Sequence, residues 1–212
     1  MHFIGRGLIS LQLKVQLFPD QDLAQRELTL PEPRAKLLAL SLVMVFLVNL
    51  ADDYRLGQTQ DMLWICHISM LLLALGLIRR RTVLIQVASL WIIPGFAFWL
   101  VDGFFSGFDL SSSLSHIVAL SITILCLQRM HVVRGIWHYA WAYWFGLQMM
   151  SRWLTAPVAN VNIAHTVRPE AAWAFDAYWQ YWLFTTIAAG AGLWFLEMAL
   201  SRIINRRRLS GG

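Results

Sequence analysis

Long runs of apolar residues, each bounded by polar or charged residues, recur along the chain. An α-helix needs about 20 predominantly apolar residues to cross a hydrocarbon core about 30 Å thick, with a range of about 17 to 25. The runs lie at about 35–51, 62–78, 82–101, 113–128, 135–151 and 177–200. The pattern therefore predicts an all-α fold, a bundle of six transmembrane helices in a single domain over residues 35–200.

The composition favours a membrane environment over water. Of the 212 residues, 58% are hydrophobic and only 14% are charged, and the chain has 11 Trp and 12 Phe. Aromatic rings of this kind concentrate where hydrocarbon meets lipid headgroups. A soluble chain of this length cannot surround six helices that are apolar on every side. Membrane lipids are therefore the expected partners.

The basic residues indicate an orientation and not a nucleic-acid partner. The net charge is +5, but the Lys and Arg residues lie in short runs beside apolar segments. Fourteen of the 17 fall in the N-terminal segment, the second-to-third and fourth-to-fifth loops, and the tail. By the positive-inside rule both termini are cytoplasmic, in a plasma membrane of the bacterial inner-membrane type. No nucleic-acid binding is expected.

Two flanking segments complete the predicted organisation. Residues 1–34 form a cytoplasmic segment in which SLQLKVQLF alternates apolar and polar positions, a pattern of a strand or of a segment on the membrane surface. Residues 201–212 form a basic cytoplasmic tail. In the last span, Ala188 and Gly192 have the small-xxx-small spacing that lets helices approach closely. We expect packing within the chain there, with a homo-oligomer contact as the alternative.

Ionisable and nucleophilic groups fall at one depth in three of the predicted spans. Cys66 and His67 lie about 8 to 9 Å from the outer end of the second span, at 1.5 Å per residue. His116 enters the fourth span from the same side, and Asp102 closes the outer end of the third. Histidine inside a membrane span indicates a functional site by default. We predict that these four residues form a catalytic site near the outer leaflet.

Polar residues around this level are candidates for binding a substrate. Ser112 and Ser113 lie one helical turn before His116 and share its face. The loop after the fifth span carries further amide, imidazole and guanidinium groups suited to a carbonyl or phosphate oxygen. These loop residues are Arg152, Asn160, Asn162 and His165.

Each of these residues also has a structural interpretation. A histidine in a span can form a hydrogen bond that only packs helices together, and a cysteine can act as a small apolar residue. The chain has no HExxH, GxSxG, Walker loop or CxxCH motif, which excludes several familiar hydrolase, nucleotide and haem sites. The SxxxH spacing of Ser112 and His116 is similar to that of ceramidase-like zinc hydrolases of membranes, but their companion HxxxH pair is missing.

Four stretches in order, WICHIS, WIIPGFAFWLVD, SSSLSHIVAL and PVANVN, resemble the YwaF-like integral membrane family over about residues 35–200. Some eukaryotic relatives of that family are thiol-dependent acyltransferases that act on phospholipids. The resemblance implies that Cys66 is the nucleophile and His116 its base. His67 directly after the cysteine and the N-terminal extension depart from the family's pattern.

Three functions are therefore open. The first is a lipid acyl hydrolase or acyltransferase with a Cys/His site, which needs no metal or other cofactor. In the second, a zinc-dependent membrane hydrolase, the ion is held by His67, Asp102, His116 and His165. The third is a scaffold, small-molecule binder or transporter without catalysis. A transporter would usually have inverted repeats and a midplane site, and the sequence indicates neither.

Overall fold

Six α-helices make up most of the chain in a computed structural model that describes residues 28–210. No strand occurs in this range, so the all-α prediction is confirmed there, and each predicted span overlaps one helix over most of its length. The segment SLQLKVQLF lies outside the described residues. The helices are α1 Glu32–Leu56, α2 Ile65–Arg79, α3 Thr82–Ser106, α4 Leu110–Gln128, α5 Ile136–Leu154 and α6 Tyr178–Ser210. Short 3-10 helices cover Thr59–Leu63, Val161–Ile163 and Pro169–Ala171.

Four of these helices are long and apolar enough to cross a membrane. They are α1, α3 over Thr82–Phe105, α4, and α6 over Tyr178–Arg206; α2 is apolar but has only 15 residues. The membrane-length helices also have apolar outward surfaces. Leu37 of α1, Phe98 of α3 and Ile187 of α6 are 63%, 74% and 62% exposed. Apolar surface on this scale is stable where lipid and not water surrounds it.

Helices α1 to α4 pack around one core, and α5 and α6 pack against the outside of α3. Leu42, Leu73 and Ile85 are completely buried at the centre of the four-helix group. On the other side, Trp91 of α3 donates its indole N–H to the Ala140 carbonyl of α5 at 2.8 Å. Helix α3 is therefore central, and it runs without interruption through Pro94.

The α2–α3 connection is a tight turn that depends on a glycine. A Cβ atom on Gly76 would lie 2.8 Å from Ile85 Cγ1 and 3.0 Å from the Ile85 backbone nitrogen. The turn closes at Arg80, which has a positive φ of 53°. The Arg80 guanidinium then donates to the Leu28 and Leu30 carbonyls, which fixes the start of the described chain beneath the turn.

The bundle has two ends. Segments 57–64, 107–109 and 155–177 lie at one, called here the long-loop end, and segments 28–31, 80–81 and 129–135 lie at the other, the arginine end. At the arginine end the buried Glu197 of α6 accepts the backbone N–H groups of Gly135 and Trp137, both at 2.8 Å. Helix α5 lacks a side-chain cap of its own, so this carboxylate satisfies its first N–H groups.

Helix α6 corrects the prediction for its small residues. Ala188 and Gly192 are exposed, and a Cβ on Gly192 would have nothing within 4 Å in this chain. The glycine that does allow packing is Gly190, where a Cβ would meet Trp141 Nε1 at 3.2 Å. The glycine of α6 that packs within the chain is thus Gly190, two residues before the predicted Gly192.

Candidate functional site

A small cavity lies between α2, α3 and α4 near the long-loop end. Its volume is about 10 Å³, which is room for about one water molecule. The sulfur and the two imidazoles that were expected to form the site all belong to its wall. The lining residues are Cys66, His67, Met70, Ile92, Ser115, His116 and Ala119.

Helix α2 brings Cys66 against α3. A Cβ on Gly95 would lie 3.6 Å from the Cys66 Cβ, so the glycine after Pro94 leaves the two helices in close contact there. Among the described residues, no hydrogen bond joins the Cys66 thiol to the His67 or His116 ring. The thiol and its candidate base therefore share a cavity without being paired.

The His67 ring has a defined tautomer. Its Nδ1 lies 3.0 Å from the backbone carbonyl of Asp61, and a carbonyl only accepts, so Nδ1 is the donor. In the neutral ring Nε2 is then an acceptor, and this atom is buried without a hydrogen-bond partner. Burial also raises the pKa of the Asp61 carboxyl, which lies in the turn before α2.

The His116 ring is fixed in the same way. Its Nδ1 donates to the Ser112 carbonyl at 2.8 Å, one turn earlier on α4, which leaves Nε2 as the acceptor. Trp99 of α3 stacks on the ring with centroids 5.1 Å apart and an interplanar angle of 11°. The His67 and His116 centroids are 6.4 Å apart. Both histidines are thus held as acceptors at Nε2.

Asp109 organises the start of α4. Its carboxylate accepts the Ser112 N–H at 2.9 Å as the helix cap, and the Ser111 hydroxyl lies within hydrogen-bond distance of it. These bonds lower the pKa of Asp109, the Ser111 contact contributing most. Ser111 also lies 2.9 Å from Asp52 Oδ2, and Ser113 donates to the Asp109 carbonyl. Ser112 and Ser113, expected to bind a substrate, therefore take part in the cap.

Asn162 performs a structural task that the sequence did not reveal. It is 2% exposed, and its Oδ1 accepts the Ile65 backbone N–H at 2.9 Å, the first residue of α2. Its amide donates to the Leu63 carbonyl at 2.7 Å and to Ser151 Oγ at 2.9 Å. The long loop thus caps the helix that carries Cys66 through this side chain.

The other residues predicted in this region, of which Arg152 lies in the last turn of α5, hold the loop together and onto the bundle. Asn160 Oδ1 accepts the N–H groups of His165 and Thr166, both at 3.0 Å. Arg152 donates to the Ala164 carbonyl at 2.9 Å. His165 Nε2 lies 3.2 Å from the Thr155 hydroxyl. None of the three belongs to the wall of the cavity.

The predicted zinc ligands do not come together. Asp102 is exposed at the end of α3 and is not part of the cavity wall, and His165 lies in the loop. Within residues 28–210, no three His, Cys, Asp or Glu side chains are grouped in a way that could hold a metal ion. Of the proposed set, only His67 and His116 share a site.

Several buried polar side-chain atoms of the described residues lack a hydrogen-bond partner, and sequence reasoning missed most of the residues that carry them. Besides His67 Nε2 and a threonine on α4, they are Asp53 Oδ2, Ser69 Oγ, Tyr143 Oη and Gln148 Oε1. Unpartnered buried polar atoms are uncommon, and each requires an explanation such as strain, function, or a bound water or ion. Tyr143 gave no signal because it is one of several aromatic residues in the run WHYAWAYWF.

The chain matches no protein-family model, and no curated protein or solved structure is significantly similar to it. The resemblance to the YwaF-like family stays a prediction from four short stretches of sequence. Function is therefore inferred from the geometry of the cavity, where a thiol and two imidazole acceptors meet.

Proposed function

We propose that this protein is an integral membrane enzyme that hydrolyses or transfers acyl groups of lipids, with Cys66 as nucleophile and His116 as base. One observation carries the proposal: Cys66, His67 and His116 line one cavity, and both imidazoles are held with Nδ1 as donor. A buried thiol needs a neighbouring base to form a thiolate, and an imidazole with a free Nε2 lone pair provides one.

In this reaction the thiol proton of Cys66 passes to His116 Nε2 while the sulfur attacks the ester carbonyl. The C–S bond forms, the carbonyl π electrons move to oxygen, and collapse of the adduct breaks the ester C–O bond. His116 returns the proton to the departing alkoxide. Water then hydrolyses the thioester, or a lipid hydroxyl takes over the acyl group.

The present cavity holds about one water, so substrate binding requires a wall residue to move. Met70 is the suited residue, because it lines the cavity and has a flexible unbranched side chain. Movement of the Met70 side chain would enlarge the cavity. Met70→Ala is accordingly expected to admit bulkier acyl chains.

We further propose that all six helices cross the membrane, with the long-loop end outside and both termini cytoplasmic. Arg79 to Arg81 and Arg129 to Arg134 mark the arginine end. In a variant with both native cysteines replaced by serine, an impermeant maleimide should label Thr166→Cys in right-side-out vesicles and Arg134→Cys only in inverted ones. Labelling with the opposite preference would reverse the orientation.

The reaction is tested on the detergent-purified protein with a p-nitrophenyl acyl ester. Cys66 should become acylated, Cys66→Ser should not react, and His116→Ala should react more slowly by about 100-fold, the size of a general-base effect. Cys126→Ser is the matched control, since Cys126 is a buried thiol outside the cavity. An ester that reacts equally with wild type and Cys66→Ser would refute the thiol mechanism and leave a binding or scaffold role.

One observation favours a zinc-dependent hydrolase as the second candidate. Histidines that bind zinc through Nε2 usually donate Nδ1–H to a carbonyl or carboxylate, as both His67 and His116 do. Both imidazoles line this cavity, although no group of three potential ligands within residues 28–210 is placed to hold a metal ion. Metal analysis of wild type and His67→Ala distinguishes the candidates: stoichiometric zinc lost in the variant favours the hydrolase.

A further inference from the structure

His67 has a ring nitrogen that the proposed reaction leaves unused. His67 Nε2 is buried and has no hydrogen-bond partner among the described residues. The other ring nitrogen, Nδ1, donates to the Asp61 carbonyl at 3.0 Å, so Nε2 carries a free lone pair. A buried acceptor without a donor costs free energy, and such atoms require an explanation in a native protein. The ring is therefore suited to a molecule that donates a hydrogen bond.

The cavity beside this ring suits a water molecule. Its volume is about 10 Å³, which is space for about one water. Water has two O–H donors, and the wall provides two Nε2 acceptors, on the His67 and His116 rings, whose centroids are 6.4 Å apart. Met70, Ile92 and Ala119 make much of the remaining wall apolar. A water molecule in this cavity therefore finds its acceptors in the two imidazoles.

The two histidines differ in the step for which they are free. His116 takes the thiol proton in the proposed reaction, whereas His67 has no part in that step. His67 also follows Cys66 directly, and both lie in the first turn of α2. A water molecule held by His67 is therefore carried on the same helix as the acylated sulfur, even when the Met70 side chain moves.

We propose that His67 Nε2 holds and deprotonates the water that hydrolyses the acyl group on Cys66. The role rests on the proposed function and makes water the acceptor of the acyl group. As the water oxygen attacks the thioester carbonyl, the C–O bond forms and a water proton moves to His67 Nε2. Collapse of the adduct breaks the C–S bond and releases the carboxylic acid. The His67 imidazolium then returns its proton to the Cys66 thiolate.

His67→Asn is the informative variant, because it removes one ring nitrogen and keeps the bond of the other. The asparagine amide takes the place of Nδ1–H as the donor to the Asp61 carbonyl, and nothing replaces Nε2. His138→Asn is the matched control. The Nδ1 of this exposed histidine also lies 3.1 Å from a backbone carbonyl, that of Gly135, but its ring is outside the cavity.

Both halves of the reaction are followed with the full-length protein in detergent. A p-nitrophenyl acyl ester acylates Cys66, and the first equivalent of p-nitrophenol gives the acylation rate. After removal of excess ester, intact-protein mass spectrometry follows the loss of the acyl group. In His67→Asn we expect acylation within about twofold of wild type and loss of the acyl group slower by about 100-fold, the size of a general-base effect. His138→Asn should change neither rate.

Hydroxylamine separates the role of a base from a role in packing. This strong nucleophile cleaves a thioester without help from a base, so it should release the acyl group from wild type and His67→Asn at similar rates. Release that is slowed as much with hydroxylamine as with water would show that the substitution only changed access to the thioester. That result would overturn the role of His67.

Other results overturn the role in different ways. Unchanged hydrolysis in His67→Asn would show that His67 is not the base, and equal losses in both halves of the reaction would show that it only holds α2. Faster transfer to added lysophospholipid than to water in the wild type would make a lipid hydroxyl the acceptor. These three results leave the thiol mechanism intact. If the ester fails to acylate Cys66 in the wild type, the proposed function fails, and the role of His67 with it.

Discussion

Asn162 accepts the backbone N–H of Ile65 across 97 residues of sequence. This bond supplies the cap that α2 lacks in its own sequence, since the side chain of Trp64 at the cap position makes no capping hydrogen bond. The residue after Ile65 is the candidate nucleophile. A loop residue far along the chain thus determines where the thiol helix begins.

Replacing Asn162 by glycine isolates this contribution. Asn162 has a φ of 54°, which glycine adopts without strain, so Asn162→Gly removes three side-chain hydrogen bonds and leaves the backbone suited to its conformation. We expect a loss of about 2 to 4 kcal/mol, measured by thermal unfolding in detergent. Thr166→Ala, at an exposed position of the same loop, should lie within about 0.5 kcal/mol of wild type. Equal stability of both variants would contradict the capping role.

Glu197 is expected to stabilise the arginine end through the start of α5. Glu197→Ala leaves the Gly135 and Trp137 N–H groups without their acceptor, at a cost of about 2 to 4 kcal/mol. Glu197→Gln keeps one oxygen and should lose less. Glu170→Ala removes an exposed carboxylate whose ion pair within residues 28–210 is the exposed one with Arg168, so it should change stability by less than about 1 kcal/mol. Chemical unfolding followed by tryptophan fluorescence measures all three.

The α2–α3 turn should not accept a methyl group at Gly76. The added Cβ of Gly76→Ala would overlap Ile85 Cγ1 and push against its backbone, so we expect a loss of about 1 to 3 kcal/mol. Gly146→Ala is the matched control, because a Cβ on this helical glycine meets nothing within 4 Å. That variant should be unchanged or more stable by up to about 1 kcal/mol. Similar unfolding temperatures for the two variants would refute the close approach.

Asp109 predicts a pH dependence with a definite sign. The pKa of Asp109 is lowered in the folded protein. Its contribution to the free energy of unfolding is therefore complete above the ordinary pKa of 3.8 and is lost as the pH falls through the lower folded pKa. Asp109→Asn keeps a capping oxygen without the charge. Wild type should be more stable than this variant at neutral pH by about 0.3 to 1 kcal/mol, the usual effect of a charge at a helix N-terminus.

The difference in stability between wild type and Asp109→Asn should disappear as the pH is lowered below about 4. Unfolding midpoints of both proteins between about pH 7 and pH 3 at low salt would measure it. Asp109→Ala, which loses the capping oxygen as well, should be less stable than Asp109→Asn across that range, by about 1 kcal/mol. A constant difference between wild type and Asp109→Asn would contradict the assignment.

The helices could be predicted because each contains a long, mostly apolar run, but their ends could not. Helix α1 continues to Leu56, past Ala51, because polar residues remain helical until Gly57 takes a positive φ of 72°. Helix α6 likewise continues to Ser210 through basic residues assigned to a tail. Hydrophobicity reports where lipid would begin, whereas the end of a helix depends on capping bonds, which are set by local backbone geometry.

Part of the candidate site could be predicted from the sequence, because residues at the same depth in neighbouring helices can lie close together. Depth correctly predicted that Cys66, His67 and His116 lie together, because all three lie near the same ends of adjacent helices. Depth could not predict that Asp102 is exposed, since that depends on how α3 is rotated about its axis. Nor could it show that Asn162 is directed inward, because the direction of a loop side chain is decided by the surfaces on which the loop lies.

The cap on α2 has a consequence for biosynthesis. Residues are made in order, so the thiol helix leaves the ribosome 97 residues ahead of the side chain that satisfies its first N–H group. Until α5 and the following loop have been made, Ile65 has only solvent or lipid headgroups as a partner. A nascent chain halted before residue 162 therefore contains Cys66 and both histidines without the completed site, which makes the site a late product of synthesis.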